Sequence, residues 1–94
     1  MKSKRIVVTY LGLTKPLVGK LNETLLLDND ELLGLLRELF KKHGSEFKNA
    51  VFDESSSSVK PNILISVNGK VVRDLAEKLK DGDAVVISTV TVGG

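Results

Sequence analysis

Leu32, Leu35, Leu36 and Leu39 recur at positions i, i+3, i+4 and i+7, and Leu33 and Phe40 widen the stripe. That spacing places them on one face of an α-helix. Asp28-Asn29-Asp30-Glu31, just before the stripe, offers N-cap residues and acids for the first turn. Lys41-Lys42-His43 and then Gly44 close it with cations that suit the helix dipole and a glycine that suits the C′ position. The pattern predicts a helix over 30–43. Gly34 is a weak point inside it, costing about 1 kcal/mol against alanine; a tight approach of the helix to a sheet would account for it. In a chain of 94 residues, one broad apolar stripe must cover most of the only core such a length can bury.

The rest of the chain reads as strands that can receive that stripe. Residues 4–11 are rich in β-branched and aromatic types, and Ile6, Val8 and Tyr10 share the parity expected of the core face. Residues 12–19, with two glycines and a proline, read as a turn or loop. Residues 20–27 alternate imperfectly, with Leu21, Glu23, Leu25 and Leu27 on one parity; a helix is the alternative, but the preceding loop and the capping signal after them favour a strand, and with it a hairpin to the first strand. Residues 45–61 show no clear period. Phe47, Val51 and Phe52 are candidates to pin a short turn, and the serines at 55–58 read as a loop that makes 53–59 the expected mobile segment. Residues 62–67 are a strand, Asn68-Gly69 a hairpin turn, and 70–72 a short return strand. Leu75, Ala76 and Leu79 suggest one helical or 3₁₀ turn, Asp81-Gly82-Asp83 turns the chain, and 84–92 reads as the last and longest strand. The expected order is ββαββ, and one amphipathic helix on one sheet face defines a two-layer α+β domain spanning 1–94, with a flexible tail over 90–94.

Composition narrows the function. With no cysteine, disulfides, thiolate metal sites and cysteine nucleophiles are excluded, and a cytoplasmic chain is the expectation. Charges of both signs are interspersed to a net +2 and aromatics are 4%, so the basic stripe interleaved with aromatics that marks a nucleic-acid binder is missing. No apolar run is long enough to span a membrane, and the basic Met1–Arg5 segment leads into strand residues, not into a cleavable apolar stretch. His43 has no cysteine to partner, and its place at a helix end explains it through the dipole. Asp81-Gly82-Asp83 lacks the further oxygen ligands of a calcium loop, and no glycine-rich phosphate cradle is present. No metal or bound cofactor is expected.

The chemical oddity is the end of the chain. A β-branched strand runs through Val90, Thr91 and Val92 into Gly93-Gly94. Two residues without Cβ can thread a narrow channel, and an α-carboxyl with a pKa of about 3.5 is ionised at neutral pH. Such a carboxylate can attack the α-phosphate of ATP in a partner's site to give an acyl-adenylate, from which a sulfur or amine nucleophile displaces AMP.

The ββαββ order with a Gly-Gly end resembles the ubiquitin-like β-grasp sulfur carriers. Tyr10-Leu11 and Leu17-Val18-Gly19 fill places in the opening strand and loop of the MoaD family. Lys60 to Asn68 resembles the strand after the variable loop in the eukaryotic ubiquitin-related modifier and its archaeal relatives. Leu79-Lys80-Asp81-Gly82-Asp83 resembles the leucine-x-x-glycine-aspartate turn shared by MoaD, ThiS and those modifiers. The Pro-Pro pair frequent before the MoaD glycines is replaced by Ile87-Ser88-Thr89-Val90-Thr91-Val92, where Ile-Ser-Thr is similar to the modifier branch, with one more residue before the glycines. The resemblance implies a mixed sheet of four to five strands and a ubiquitin-activating-type adenylating partner that uses ATP and magnesium. It implies that the Gly94 carboxylate becomes a thiocarboxylate, with Gly93 giving clearance and Val90, Thr91 and Val92 gripped by the partner's channel. Sulfur transfer to tRNA through a thiolation enzyme or attachment to lysines of target proteins would follow; the alternative is the small subunit of molybdopterin synthase beside a MoaE-like partner. On this reading the protein is a co-substrate and not an enzyme. A plain β-grasp interaction module with an idle C-terminus is the rival from another class.

Overall fold

The structure, a computed structural model, describes residues 3–90. The strands are β1 (Lys4–Leu11), β2 (Asn22–Leu27), β3 (Phe52–Asp53), β4 (Ser58–Val59), β5 (Ile63–Val67), β6 (Lys70–Val71) and β7 (Ala84–Thr89), and the helices are α1 (Thr14–Val18), α2 (Leu32–His43) and α3 (Ser45–Val51). Five strands form one mixed sheet in the order β2-β1-β7-β5-β6. β1 pairs antiparallel with β2 (Ile6 opposite Leu25) and parallel with β7 (Tyr10 beside Ile87), and β7 pairs antiparallel with β5 (Ile65 opposite Ile87). One sheet face, carrying Ile6, Val8, Tyr10, Ile65, Val85 and Ile87, is buried in a single cluster with the helices.

The leucine stripe behaves as its spacing demands: Leu32, Leu35, Leu36 and Leu39 are all fully buried. The helix begins two residues later than expected, because Glu31 is the extended N-cap residue. Its first amides are satisfied by a distant segment. Leu32 N–H donates to the Glu77 carbonyl and Leu33 N–H to the Leu75 carbonyl, both at 2.9 Å, while Leu79 N–H returns to the Asp30 carbonyl at 2.7 Å. Residues 74–79 therefore form a turn, closed by Glu77 N–H donating to the Asp74 carbonyl at 3.1 Å, that caps α2 without becoming the helical or 3₁₀ turn expected there. Gly34 is explained by Asn29 and not by the sheet: a Cβ at 34 would overlap the Asn29 side chain, whose Oδ1 accepts the Glu31 N–H at 2.7 Å.

Three further expectations are corrected. The loop at 12–19 contains α1, in which Pro16 falls in the first turn, where its missing N–H costs nothing. Gly19, at φ 85°, ends α1 by donating its N–H to the Lys15 carbonyl. The segment 45–61 holds α3, with Phe47 and Val51 buried one turn apart, followed by the β3–β4 hairpin. Asp53 Oδ1 accepts from both the N–H and the hydroxyl of Ser55, so the serine run is the tip of that hairpin. Finally, β7 ends at Thr89, and β1, with eight residues, is the longest strand. Of the expected 20–27, Asn22–Leu27 form β2, and Asn68-Gly69 turns with φ 52° and 84°, the positive pair that a two-residue hairpin requires.

Candidate functional site

The parallel pairing of β1 and β7 brings their C-terminal ends together, and Val90, the last described residue, follows β7 at that end. The exit is clamped from both sides. On the β1 side, Gly12 takes φ +64° and lies so near Thr89 that Leu13 N–H donates to Thr89 Oγ1 at 3.0 Å. Thr14 is completely buried, and its hydroxyl proton is shared between the carbonyls of Leu11 (2.7 Å) and Ile87 (2.9 Å). On the β5 side, Val90 N–H donates to the Asn62 carbonyl at 2.8 Å. Val90, expected to begin a flexible tail, is thus held by its backbone while its side chain is 38% exposed. The other expected tail positions, Thr91, Val92, Gly93 and Gly94, lie outside the described residues.

A second polar cluster was not foreseen from the sequence. Glu23 lies on the inward parity of β2, with its side chain 6% exposed. Its Oε2 accepts from Tyr10 Oη at 2.5 Å and lies 2.5 Å from His43 Nε2, and Lys42 Nζ donates to Oε1 at 2.6 Å. The Tyr10 and His43 rings meet edge-to-face, 5.8 Å apart, and both abut Phe47. Burial alone would raise the Glu23 pKa, but hydrogen bonds from Lys42, Tyr10 and His43 together outweigh it and lower it to about 2. Burial, the hydrogen bond to Glu23 and that carboxylate's charge all push the Tyr10 phenol far above its ordinary value. With both carboxylate oxygens committed, this cluster joins β1, β2 and the end of α2 and presents no open reactive group. His43 is accordingly a partner of Glu23, not merely a dipole neighbour. The signal lay in the alternation of 21–27, since an acid on a core parity needs a partner.

The Asp81-Gly82-Asp83 turn is structural, as expected. Asp81 Oδ1 accepts the Arg5 N–H at 2.7 Å, and Asp83 accepts from Asn68 Nδ2 at 2.9 Å and from Lys80 N–H at 2.7 Å. Among the described residues no group of three or more histidine and acidic side chains is placed to hold a metal, and no helix is long and apolar enough to cross a membrane.

A mixed sheet with a parallel β1–β7 pair, a β1–β2 hairpin and a main helix laid on one face is the ubiquitin-like β-grasp architecture. The model of the ThiS family matches residues 8–94, and the chain belongs to that family of small ubiquitin-like sulfur carriers and modifiers. No curated protein sequence matches it. Among solved structures, the crystal structure of SAMP1 from Haloferax volcanii is similar with a TM-score of 0.80 at 18% identity, over 96% of this chain and 99% of that one. Urm1 from Trypanosoma brucei is similar with a TM-score of 0.73 at 24% identity, over 100% and 99%. Both likenesses are of fold. A Pyrococcus furiosus protein assigned as molybdopterin converting factor, subunit 1, is similar with a TM-score of 0.75 at 30% identity, over 95% and 100%.

Proposed function

We propose that this ThiS-family chain carries sulfur on Gly94. Its α-carboxylate attacks the α-phosphate of ATP in an adenylating enzyme of the ubiquitin-activating type, magnesium-bound pyrophosphate leaves, and a sulfur nucleophile then displaces AMP to leave a thiocarboxylate. The chain acts as co-substrate; ATP and magnesium belong to the partner. The observation that carries the reading is that the family match runs through Gly94 itself, while Thr89 and Val90 are fixed where the tail departs. Sulfur delivery to a tRNA-thiolation enzyme, or attachment to lysines of target proteins, is the favoured onward step. The experiment is intact-mass analysis after incubation with the adenylating enzyme, ATP, magnesium and a sulfur donor. The chain should gain the mass difference of one oxygen exchanged for sulfur, and an unchanged mass would leave the idle-ended interaction module in its place.

The 30% identity to the Pyrococcus furiosus protein supports a second reading, the small subunit of a molybdopterin synthase. Co-purification with a MoaE-like subunit supports that branch, and co-purification with a tRNA-thiolation enzyme supports the first.

A further inference from the structure

The five-stranded sheet has two edges of unlike character. The edge at β6 is two residues long and includes Lys70, the short, charged kind of edge that resists pairing with another chain. The edge at β2 runs for six residues, Asn22–Leu27, and its register against β1 is unbroken by any bulge. Tyr10 N–H donates to the Leu21 carbonyl at 2.7 Å. The odd-numbered residues of β2 therefore turn their backbone groups to β1, and Asn22, Thr24 and Leu26 turn theirs outward. None of these three is charged or proline, and the Leu26 side chain is 71% exposed. Charge, proline, bulge and shortness, the devices that protect an edge, are all missing from this one. Its flanks carry opposite charge. Before the strand stands Lys20, which reaches Glu23 Oε1 at 3.7 Å and stays 46% exposed, while Lys42 holds the same oxygen at 2.6 Å. After the strand stands Asp28, whose Oδ1 accepts from Ser3 Oγ at 2.8 Å.

We propose that the β2 edge pairs with the β2 edge of a second copy, antiparallel about a two-fold axis through Thr24. In that register Thr24 lies opposite Thr24 of the second copy and Asn22 opposite Leu26 of the second copy. All three outward residues then exchange both backbone bonds. A shift by two residues either way sets Leu26 or Asn22 against a residue outside the strand. The same register sets Lys20 opposite Asp28 of the second copy, and the symmetry repeats that pair. A parallel arrangement would instead bring like charges side by side, which is destabilising. Leu26 gains cover from Asn22 and Thr24 of the second copy. The assembly closes as a dimer, because the two edges left at its ends are the protected β6 edges. β7, which leads to Val90, lies two strands in from β2, so pairing leaves Thr89 and Val90 uncovered in both copies.

The test is sedimentation velocity on the full chain. An edge of this length belongs with interfaces that bury less than about 1,200 Å². A Kd on the order of 10–100 μM is expected, and concentrations from about 1 μM to about 1 mM span it. Thr24→Pro removes an outward N–H from an edge strand, where proline is tolerated, and should leave a monomer with an unchanged circular dichroism spectrum. Lys20→Asp and Asp28→Lys each set like charges together twice per dimer and should raise Kd about tenfold or more. Mixing these two variants restores opposite charges at both flanks and should give a heterodimer with a Kd near that of wild type. Val71→Lys, on the β6 edge, should change nothing. If Thr24→Pro does not fold, the charge variants and their mixture decide. A wild type that stays monomeric over the whole range overturns the proposal. So does a dimer that survives Thr24→Pro, or a pair of charge variants that fails to complement on mixing, since the copies then meet elsewhere. Loss of the dimer in Val71→Lys would place the contact at β6 and equally overturn it.

Discussion

Gly12 approaches Thr89 so closely that a Cβ on the glycine would overlap the threonine Oγ1. The contact joins the end of β1 to the end of β7 and fixes the backbone immediately before Val90. Gly12→Ala adds a methyl into that contact and holds a side chain at φ +64°, a conformation that costs an L-residue about 1–2 kcal/mol. We expect a total loss of about 2 kcal/mol, which for a domain of this size lowers Tm by roughly 8–16 °C. Adding Thr89→Ala removes the overlap but also the acceptor of the Leu13 N–H, so Gly12→Ala should cost less in a Thr89→Ala background than in wild type, and thermal melts of both single variants and the double variant measure the split. Equal Tm for Gly12→Ala and wild type would show that the exit is not clamped as described.

The Glu23 cluster ties stability to pH on the acid side. Its folded pKa of about 2 lies below the ordinary 4.5, so its contribution is fully present above about pH 4.5 and is lost as pH falls toward 2. The displacement corresponds to about 3 kcal/mol at most. Glu23→Gln should be less stable than wild type near neutrality and should lose much of the acid dependence between those limits, as urea melts at a series of pH values would record. Similar slopes for the two proteins would mean that other carboxylates carry the acid transition.

On the alkaline side the same cluster holds Tyr10 neutral. A phenol whose folded pKa is raised contributes stability below its unfolded value of about 10 and loses it as pH rises beyond that. Tyr10 is the sole tyrosine and there is no tryptophan, so tyrosinate absorbance reports this one site. The absorbance should appear together with loss of circular dichroism. Ionisation while the fold is intact would contradict the burial of the hydroxyl.

Elements built on repeated local spacing could be read from the sequence. Leu36 is fully buried as the stripe requires, and Leu36→Ala should cost about 2–5 kcal/mol in denaturant melts; a loss below about half a kcal/mol would place the stripe in solvent. The Asn68-Gly69 turn and the parity of Ile6, Val8 and Tyr10 were equally plain. What escaped has a different physical origin. α1 is five residues long between glycines, and α3 repeats its apolar spacing only once, from Phe47 to Val51, so neither gives a period. The cap on α2 is made by the backbone carbonyls of Leu75 and Glu77, groups every residue possesses. At the candidate site, Gly93-Gly94 was visible as composition, but the clamp at its base was not. Leu13 and Thr89 meet across 76 positions of sequence, and nothing local announces that contact.

Gly94 should be essential to activation and nearly irrelevant to folding. The motivation is the match of the family model through that residue and the fixing of the chain at Val90, which sets the tail's reach by residue count. Deleting Gly94, or adding one alanine after it, shifts the carboxylate by about 3.3–3.6 Å along an extended chain. Chemistry that depends on proximity does not tolerate this, since about 1 Å of misplacement can already cost roughly a hundredfold in rate. Thermal stability should barely change, because the clamp at Gly12, Thr89, Val90 and Asn62 remains intact and terminal residues add few contacts. The assay is acyl-adenylate or thiocarboxylate formation by the adenylating enzyme, read by intact mass, with melts in parallel. Activation of the shortened or lengthened chain at the wild-type rate would end the carrier reading. A large fall in Tm would instead show that Gly94 serves the fold. Loss of activation with an unchanged melt is the expected outcome, and it would separate the carboxylate that reacts from the domain that delivers it.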